Sequence, residues 1–345
     1  MSDSKQPILK CEGLTKVYGE INALNKLNLE ISAGKVFGFL GHNGAGKTTT
    51  IRILAGLIRA TSGKAAICGV DVSSGRDRIK SLVGYMPESF GVYDQMRVWE
   101  YLDFFGAAFK IPSNQRRDRI DRVLADTGCE GVRDRFVDAL SHGVKQMIGI
   151  ARTLIHDPVF LLLDEPFNGL DPGARSQMRR LLGQLASQGK TILVSSHMLS
   201  ELVEVADQIG VIKEGNLVMN GTTPRVLTAM RQKGRAMELK VVEGQLAKAA
   251  RTLKDLAQTA RWKGKVGGAE EDEKQRVLRF RFTGGAEAGL GDEELAELLA
   301  AIVGTGIKVV TMQEALDVEG AYLTVRPEAA VPAGGRGAKK TDGAS

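Results

Sequence analysis

Residues 41–48 read Gly-His-Asn-Gly-Ala-Gly-Lys-Thr, a pattern whose chemistry is the cradling of phosphate. Glycines at 41, 44 and 46 allow positive φ, so that successive backbone N–H groups can converge on phosphate oxygens. The apolar run Val36–Leu40 before the loop predicts a buried strand, and Thr49–Leu54 after it predicts a helix. A helix starting there turns its partly positive N-terminus toward the same anion. Lys47 is then placed to reach β- and γ-phosphates, and Thr48 to offer its hydroxyl to Mg²⁺.

A second constellation lies over a hundred residues downstream. Val159–Leu163 is a continuous apolar run that ends in Asp164-Glu165-Pro166. Such a run suits a central parallel strand covered on both faces, delivering two carboxylates at its carboxyl end. Two acids there are costly to bury without a metal or a reaction. Asp164 suits a Mg²⁺ held through water. Glu165, one residue on, points differently and suits orienting or deprotonating an attacking water.

The elements that must hold these groups follow from the pattern along the chain. Residues 8–230 alternate strand-like and helix-like segments, which predicts a three-layer α/β domain. Pro224 and Gln232-Lys233-Gly234-Arg235 mark a boundary. Beyond it the pattern predicts strand Met237–Val242, helix Gln245–Ala260 and strand Arg261–Val266. An acidic loop at Glu270–Glu273, strand Val277–Phe282, helix Asp292–Val303 and strand Ile307–Thr311 follow. That β-α-β-β-α-β order predicts a small ferredoxin-like domain over 231–325. The tail 326–345, rich in Pro, Ala, Gly and Lys, predicts disorder.

Composition excludes several classes. The 345 residues are 43% hydrophobic and 26% charged, as in an ordinary soluble protein with room for two domains. No apolar run reaches the ~18–20 residues of a membrane span. Residues 1–7 lack the apolar core of a signal peptide, which predicts a cytoplasmic chain. The three cysteines, 11, 68 and 129, are widely spaced and predict free thiols, not a zinc site or disulfide frame. The net charge of +6 is compatible with an anionic surface and by itself identifies no partner.

Further short elements occur in a fixed order with these two. They are Tyr18 in a Val-Tyr-Gly stretch, Glu88 after Val83-Gly84-Tyr85-Met86-Pro87, and Leu140-Ser141-His142-Gly143-Val144. Beyond Glu165 come Asn168-Gly169-Leu170-Asp171, then Thr191–Ser196 and His197. With this set the chain resembles the nucleotide-binding subunit of an ATP-binding cassette (ABC) transporter over residues ~8–230. The resemblance implies a P-loop NTPase fold, a core sheet with a helical subdomain at about 89–140. It implies ATP and Mg²⁺ as cofactors, with Gly41, Asn43, Gly44, Ala45, Gly46, Lys47, Thr48 and Thr49 on the nucleotide. It further implies Tyr18 as the adenine-stacking aromatic, Glu88 at the Q-loop, and Ser141 and Gly143 in the signature. Asp171 falls in the D-loop and His197 at the switch histidine. Thr48, Asp164 and Glu88 become the metal-side oxygens; Glu165, His197 and Glu88 become the catalytic set. His42 and His156 match no role in the pattern.

Two of these elements depart from the family's commonest residues. Glu88 stands for the Q-loop glutamine, keeping an acceptor oxygen but adding negative charge. His142 and Val144 stand where Leu-Ser-Gly-Gly-Gln has its first glycine and its glutamine. Because the signature of one cassette completes the phosphate site of another, a single set implies a homodimer or a paired cassette. These departures resemble the branch that exports drugs, lipids or polysaccharides through a separately encoded membrane permease. Ala315–Leu323 resembles the ending often appended in that branch. Of the aromatics at 90–109, Phe90, Tyr93 and Trp99 are the candidates for the permease-docking groove.

The expected function is therefore an ATPase subunit on the inner face of the cell membrane. A second reading is a soluble ABC ATPase acting on ribosomes, nucleic acid or protein assembly. It finds no second cassette, no long coiled-coil insertion and no basic stretch interleaved with aromatics, so no nucleic-acid partner is expected. A third, a cassette that binds without turnover, rests on His142 and Glu88 and is opposed by intact Glu165 and His197.

Overall fold

The computed structural model describes residues 7–89, 91, 95–231, 235–273, 276–282 and 290–314. The chain opens with β1 (Pro7–Tyr18) and β2 (Ile21–Ser32), then β3 (Val36–Leu40), the glycine loop and α1 (Lys47–Leu54). Strands β4 (Ser62–Ile67) and β5 (Val70–Asp71), helix α2 (Arg76–Leu82) and β6 (Val83–Met86) follow. Helices α3 (Val98–Ala108), α4 (Ser113–Thr127) and α5 (His142–Leu154) lead to β7 (Phe160–Leu163). The cassette is completed by α6 (Pro172–Ser187), β8 (Thr191–Ser196), α7 (Leu199–Val203), β9 (Gln208–Lys213), β10 (Asn216–Thr222) and α8 (Thr223–Arg231).

Six strands form the central sheet in the order β10-β9-β3-β8-β7-β6, parallel except for the β10–β9 pair. Its inner strands read as unbroken apolar runs because both faces are covered. Phe37, Phe39, Phe160, Leu162 and Leu193 pack toward β1, β2 and α1. Leu40, Leu161, Leu163, Ile192 and Val194 pack on the other face with residues of α3 to α7. Gly38 lets α7 come close, since a Cβ there would lie 3.1 Å from Ala206 Cβ and from Leu202 Cδ1.

The expected strand–helix alternation holds for β3 and α1 but not for the strands that flank them in the first seventy residues. There β1, β2, β4 and β5 make a separate antiparallel sheet in the order β2-β1-β4-β5. The reason is legible in β2, where Leu27, Leu29 and Ile31 are buried and their neighbours exposed, the two-residue period of a sheet covered on one side.

After the cassette come β11 (Arg235–Val241), α9 (Leu246–Gln258), β12 (Val266–Asp272), β13 (Val277–Phe282), α10 (Leu290–Gly304) and β14 (Val309–Glu314). All pairings are antiparallel in the order β12-β13-β11-β14, the arrangement of a ferredoxin-like unit. Its core includes Leu239, Phe280, Phe282, Leu253 and Ile302. One strand is displaced from expectation. Residues 261–265 form a turn that buries Trp262, and the strand begins at Val266. The acidic run expected as a loop is instead largely in β12, where Glu270 pairs with Arg279 and Asp272 with Val277 in register. Arg279 also reaches the carboxylates of Glu238 at 2.8 Å and Asp272 at 3.4 Å, so cross-strand charge offsets the acids' poor strand propensity. Phe90, Tyr93, segment 315–323 and tail 326–345 lie outside the described residues.

Candidate functional site

The three strands that deliver chemistry are neighbours: β8 lies between β3 and β7. Their carboxyl ends therefore bring the glycine loop, Asp164-Glu165 and His197 to one edge of the sheet, where ligands of open α/β sheets bind. Glu88, two residues beyond β6, joins them. His42, Asn43, Gly44, Gly46, Lys47, Thr48, Thr49, Glu88 and Glu165 line one cleft.

The glycine loop is tied down at both ends. Gly41 N–H donates to Ser196 O at 3.1 Å, and Gly215 N–H donates to Ala45 O at 2.9 Å. Gly44 (φ 81°) and Gly46 (φ 112°) occupy the left-handed region. Gly41 does not, contrary to expectation. Its glycine is required by space, because a Cβ would lie 2.7 Å from Ile212 O and 3.1 Å from Ala45 Cβ. Gly46 meets both constraints, with a Cβ only 2.6 Å from Ala23 O.

Lys47 is buried, and its ammonium donates to Gly41 O at 2.5 Å and His42 O at 3.1 Å. It also lies 3.0 Å from Glu165 Oε1, an ion pair without the alignment of a hydrogen bond. The other oxygen of Glu165 is 2.9 Å from His197 Nδ1. A carboxylate accepts, so the proton of that bond sits on Nδ1. Glu165 itself has φ 50°, unusual for a residue with a Cβ. Its N–H donates to Ser195 Oγ at 2.9 Å, fixing this turn at the end of β7 and aiming the carboxylate back at the loop lysine.

Asp164 is equally constrained. Oδ1 accepts from Ser195 Oγ at 2.8 Å and from Thr48 Oγ1 at 3.1 Å, while buried Oδ2 has no hydrogen-bond partner among the described residues. Burial pushes its carboxyl above the usual range. The two hydroxyl bonds oppose that shift, and the charges of Glu165 and Glu88 add to it. A cation beside Oδ2 would satisfy the orphan oxygen and restore the ionised form. Among the described residues, no group of three or more His, Cys, Asp or Glu surrounds one cation position. One carboxylate and one hydroxyl still fit Mg²⁺, which keeps several waters and takes few protein oxygens.

The remaining predicted residues lie around this centre. Glu88 Oε1 accepts from Asn168 Nδ2 at 3.1 Å. Ser141 caps α5, accepting from Val144 N–H at 3.4 Å, and Gly143 lets that helix approach Ala174, whose Cβ would be 3.0 Å from one on the glycine. Asp171 caps α6 through Ala174 N–H at 2.9 Å. Neither Ser141, Gly143 nor Asp171 lines the cleft of its own chain. Tyr18 is exposed at the end of β1 with Lys16 Nζ 4.8 Å from its ring centre, also outside the cleft. Trp99 is half-buried against the helical core, and the Arg133 guanidinium is 5.9 Å from its ring.

Sequence reasoning passed over Ser195 and Asn168. Both hydroxyls of the Ser195-Ser196 pair are buried at the end of an otherwise apolar strand, and that placement was the available signal for Ser195. Asn168 carried no such mark.

The family model described as ABC transporter matches residues 24–168. The bacitracin transport ATP-binding protein of Bacillus licheniformis is 42% identical over 212 residues, 61% of this chain and 68% of that protein. This chain belongs to the ABC transporter ATP-binding family. The Nod factor export ATP-binding protein I of Ralstonia nicotianae is 37% identical over 222 residues, covering 64% of this chain and 69% of that protein. Among solved structures, part of the ABC transporter complex cbiONQ from Clostridium perfringens superposes with TM-score 0.60 at 27% identity. It covers 72% of this chain and 97% of that one. A bacterial ABC transporter cassette solved as a dimer gives TM-score 0.57 at 26% identity over 62% of this chain and 98% of that one. The cassette's glycine loop is thus the family's Walker A element. Among the described residues no helix is long and apolar enough to cross a membrane.

Proposed function

We propose that this cassette, residues 1–230, hydrolyses ATP and energises export through a separately encoded membrane permease, from the inner face of the cell membrane. Residues 231–325 form an accessory domain in this reading. The observation that carries it is the buried Lys47–Glu165 pair facing the glycine loop, with the exposed His197 on the other oxygen of Glu165 and Asp164 beside it. Without nucleotide the ammonium of Lys47 compensates Glu165. An arriving β/γ-phosphate competes for that ammonium and for the N–H groups of residues 43–48. Glu165 then keeps His197 as its partner and has an oxygen freed to accept the proton of an attacking water. His197 holds that carboxylate in place and contacts the γ-phosphate.

Thr48 and Asp164, with Glu88 near, would hold Mg²⁺. Bound there, the ion would supply positive charge against the charge that develops on the phosphates. Tyr18 stacks on adenine. Ser141, Gly143 and Asp171, which lie outside the cleft of their own chain, serve the nucleotide of a paired cassette. Export as the direction, with a bacitracin- or Nod factor-like cargo class, rests on the relatives' names.

The test uses the Glu165→Gln chain, trapped with ATP in its own cell membranes and purified. Co-purification of a polytopic membrane protein is the expected result, and that protein's sequence would narrow the cargo. Recovery of ribosomes, nucleic acid or only soluble proteins would overturn the transporter reading.

A further inference from the structure

Two of the residues at which this chain departs from the family's commonest pattern, His142 and Glu88, are joined through one residue. Glu88 follows β6, Asn168 follows β7, and His142 is the first residue of α5. Asn168 binds both of the others. Its side-chain Nδ2 donates to Glu88 Oε1 at 3.1 Å, and its backbone carbonyl lies 3.0 Å from His142 Nε2. A carbonyl accepts only, so Nε2 carries the proton of that bond.

The imidazole has a built seat. Gly169 adopts φ 70°, and a Cβ on it would lie 3.1 Å from Nε2 and 3.3 Å from Cδ2 of His142. The ring therefore occupies the space that a side chain at 169 would fill. Gly143 lets the start of α5 lie close to α6, since a Cβ on it would be 3.0 Å from Ala174 Cβ. At the other end of the path, Glu88 lines the cleft with Lys47, Thr48 and Glu165. Its charge also bears on Asp164. A glycine in place of His142 could make no side-chain bond to the Asn168 carbonyl. A glutamine in place of Glu88 would keep the Asn168 bond but remove the charge.

We propose that His142 is a positioning residue for Glu88, fixing its carboxylate over the phosphate cleft through the His142–Asn168–Glu88 path. This deepens the ATPase reading and rests on it. It gives the histidine a role within its own chain: the side chain inserted into the signature anchors the acid inserted at the Q-loop. Under the proposed pairing, a nucleotide pressed against the signature by a second cassette would be felt at Glu88 two hydrogen bonds away.

The test has two arms on the full chain. In ligand-free protein the ring nitrogens of the four histidines are followed by ¹⁵N NMR, with His142 assigned from its loss in His142→Gly. Glu88→Ala and Asn168→Ala should each shift the His142 signals; an unmoved His142 ring in Glu88→Ala overturns the proposal. In the second arm ATP turnover is measured against Mg²⁺ concentration. His142→Gly should raise the Mg²⁺ half-saturation point about 10-fold, the scale of losing a partner that orients a metal-side carboxylate. KM for ATP at saturating Mg²⁺ should move far less. In the Glu88→Ala background His142→Gly should add nothing. Additive shifts, or an effect on kcat alone, would overturn the path. The NMR arm needs no nucleotide, so a chain that turns over no ATP would count against the ATPase reading alone.

Discussion

Lys47 Nζ lies 3.0 Å from Glu165 Oε1, and their side chains are only 5% and 7% exposed. The loop lysine proposed to bind phosphate is therefore the counter-ion of the carboxylate proposed to act on water. The pairing offsets the cost of burying either group alone. Under the proposed function a phosphate would exchange one anion for another around the same ammonium, so that the site would stay compensated before and after binding.

Removing one member of this pair should be costly without any nucleotide. Lys47→Met is expected to lower unfolding free energy by about 3 kcal/mol, the low end for breaking a buried pair, because His197 still contacts Glu165. Adding Glu165→Gln should return most of that loss. Urea unfolding of the ligand-free chain measures both. Equal stability of Lys47→Met and the parent would mean that the pair contributes nothing net.

Glu165→Gln on its own should slow phosphate release by roughly 10²–10⁴-fold, or about 3–5 kcal/mol of barrier. ATP affinity should change little, since Lys47 and the loop N–H groups remain. His197 acts in part through the same carboxylate, so His197→Ala should slow the parent strongly and the Glu165→Gln form by a smaller factor, the γ-phosphate contact being what remains to lose. Near-normal turnover of Glu165→Gln would sink the role assigned to it.

The loop glycines should separate by cause. Gly44→Ala meets no atom within 4 Å and suffers only from φ 81°, a cost of about 1–2 kcal/mol. Gly46→Ala carries φ 112° and a Cβ 2.6 Å from Ala23 O, so β2 or the loop must shift. Nucleotide binding, read by calorimetry, should survive the first substitution and be lost in the second. Comparable affinities in the two variants would contradict the steric argument.

The cassette was legible because its chemistry sits at strand ends, where a change from apolar to charged residues is visible in the chain itself. Asp164 and Glu165 announced themselves in this way, as did the loop from Gly41 to Thr48. The antiparallel β1–β2–β4–β5 sheet was less legible: its strands sit among segments that alternate as in a βαβ unit, and pairing partners are not written locally. The strand at Val266–Asp272 was misplaced because its acids look like a loop until Arg279 stands opposite them. Gly41 was assigned to positive φ by analogy with its neighbours, whereas its constraint comes from Ile212, distant in sequence. Asn168 escaped because a hydrogen-bonding hub made partly of backbone leaves no mark in residue type.

His156, which matched no role in the sequence, sets an acid limit on the fold. Its ring stacks on Phe109 at 3.8 Å between centres, Nε2 donates to Val83 O at 3.0 Å, and buried Nδ1 has no partner. Burial lowers its pKa from 6.5 to about 4; the Val83 bond and Asp157 act upward, while Lys190 and Arg119 act downward. The unfolded chain thus binds this proton at higher pH than the folded one does. Between pH 6.5 and 4 the unfolded state holds more protons, so stability falls as pH falls. His156 should remove about 2 kcal/mol between pH 7.5 and 5. His156→Gln does not titrate and should lose stability at all pH values through lost stacking, but with a flatter slope across this window. Denaturant unfolding of both chains at pH 7.5 and 5 decides it. Parallel slopes would show that His156 already takes its proton freely in the folded state.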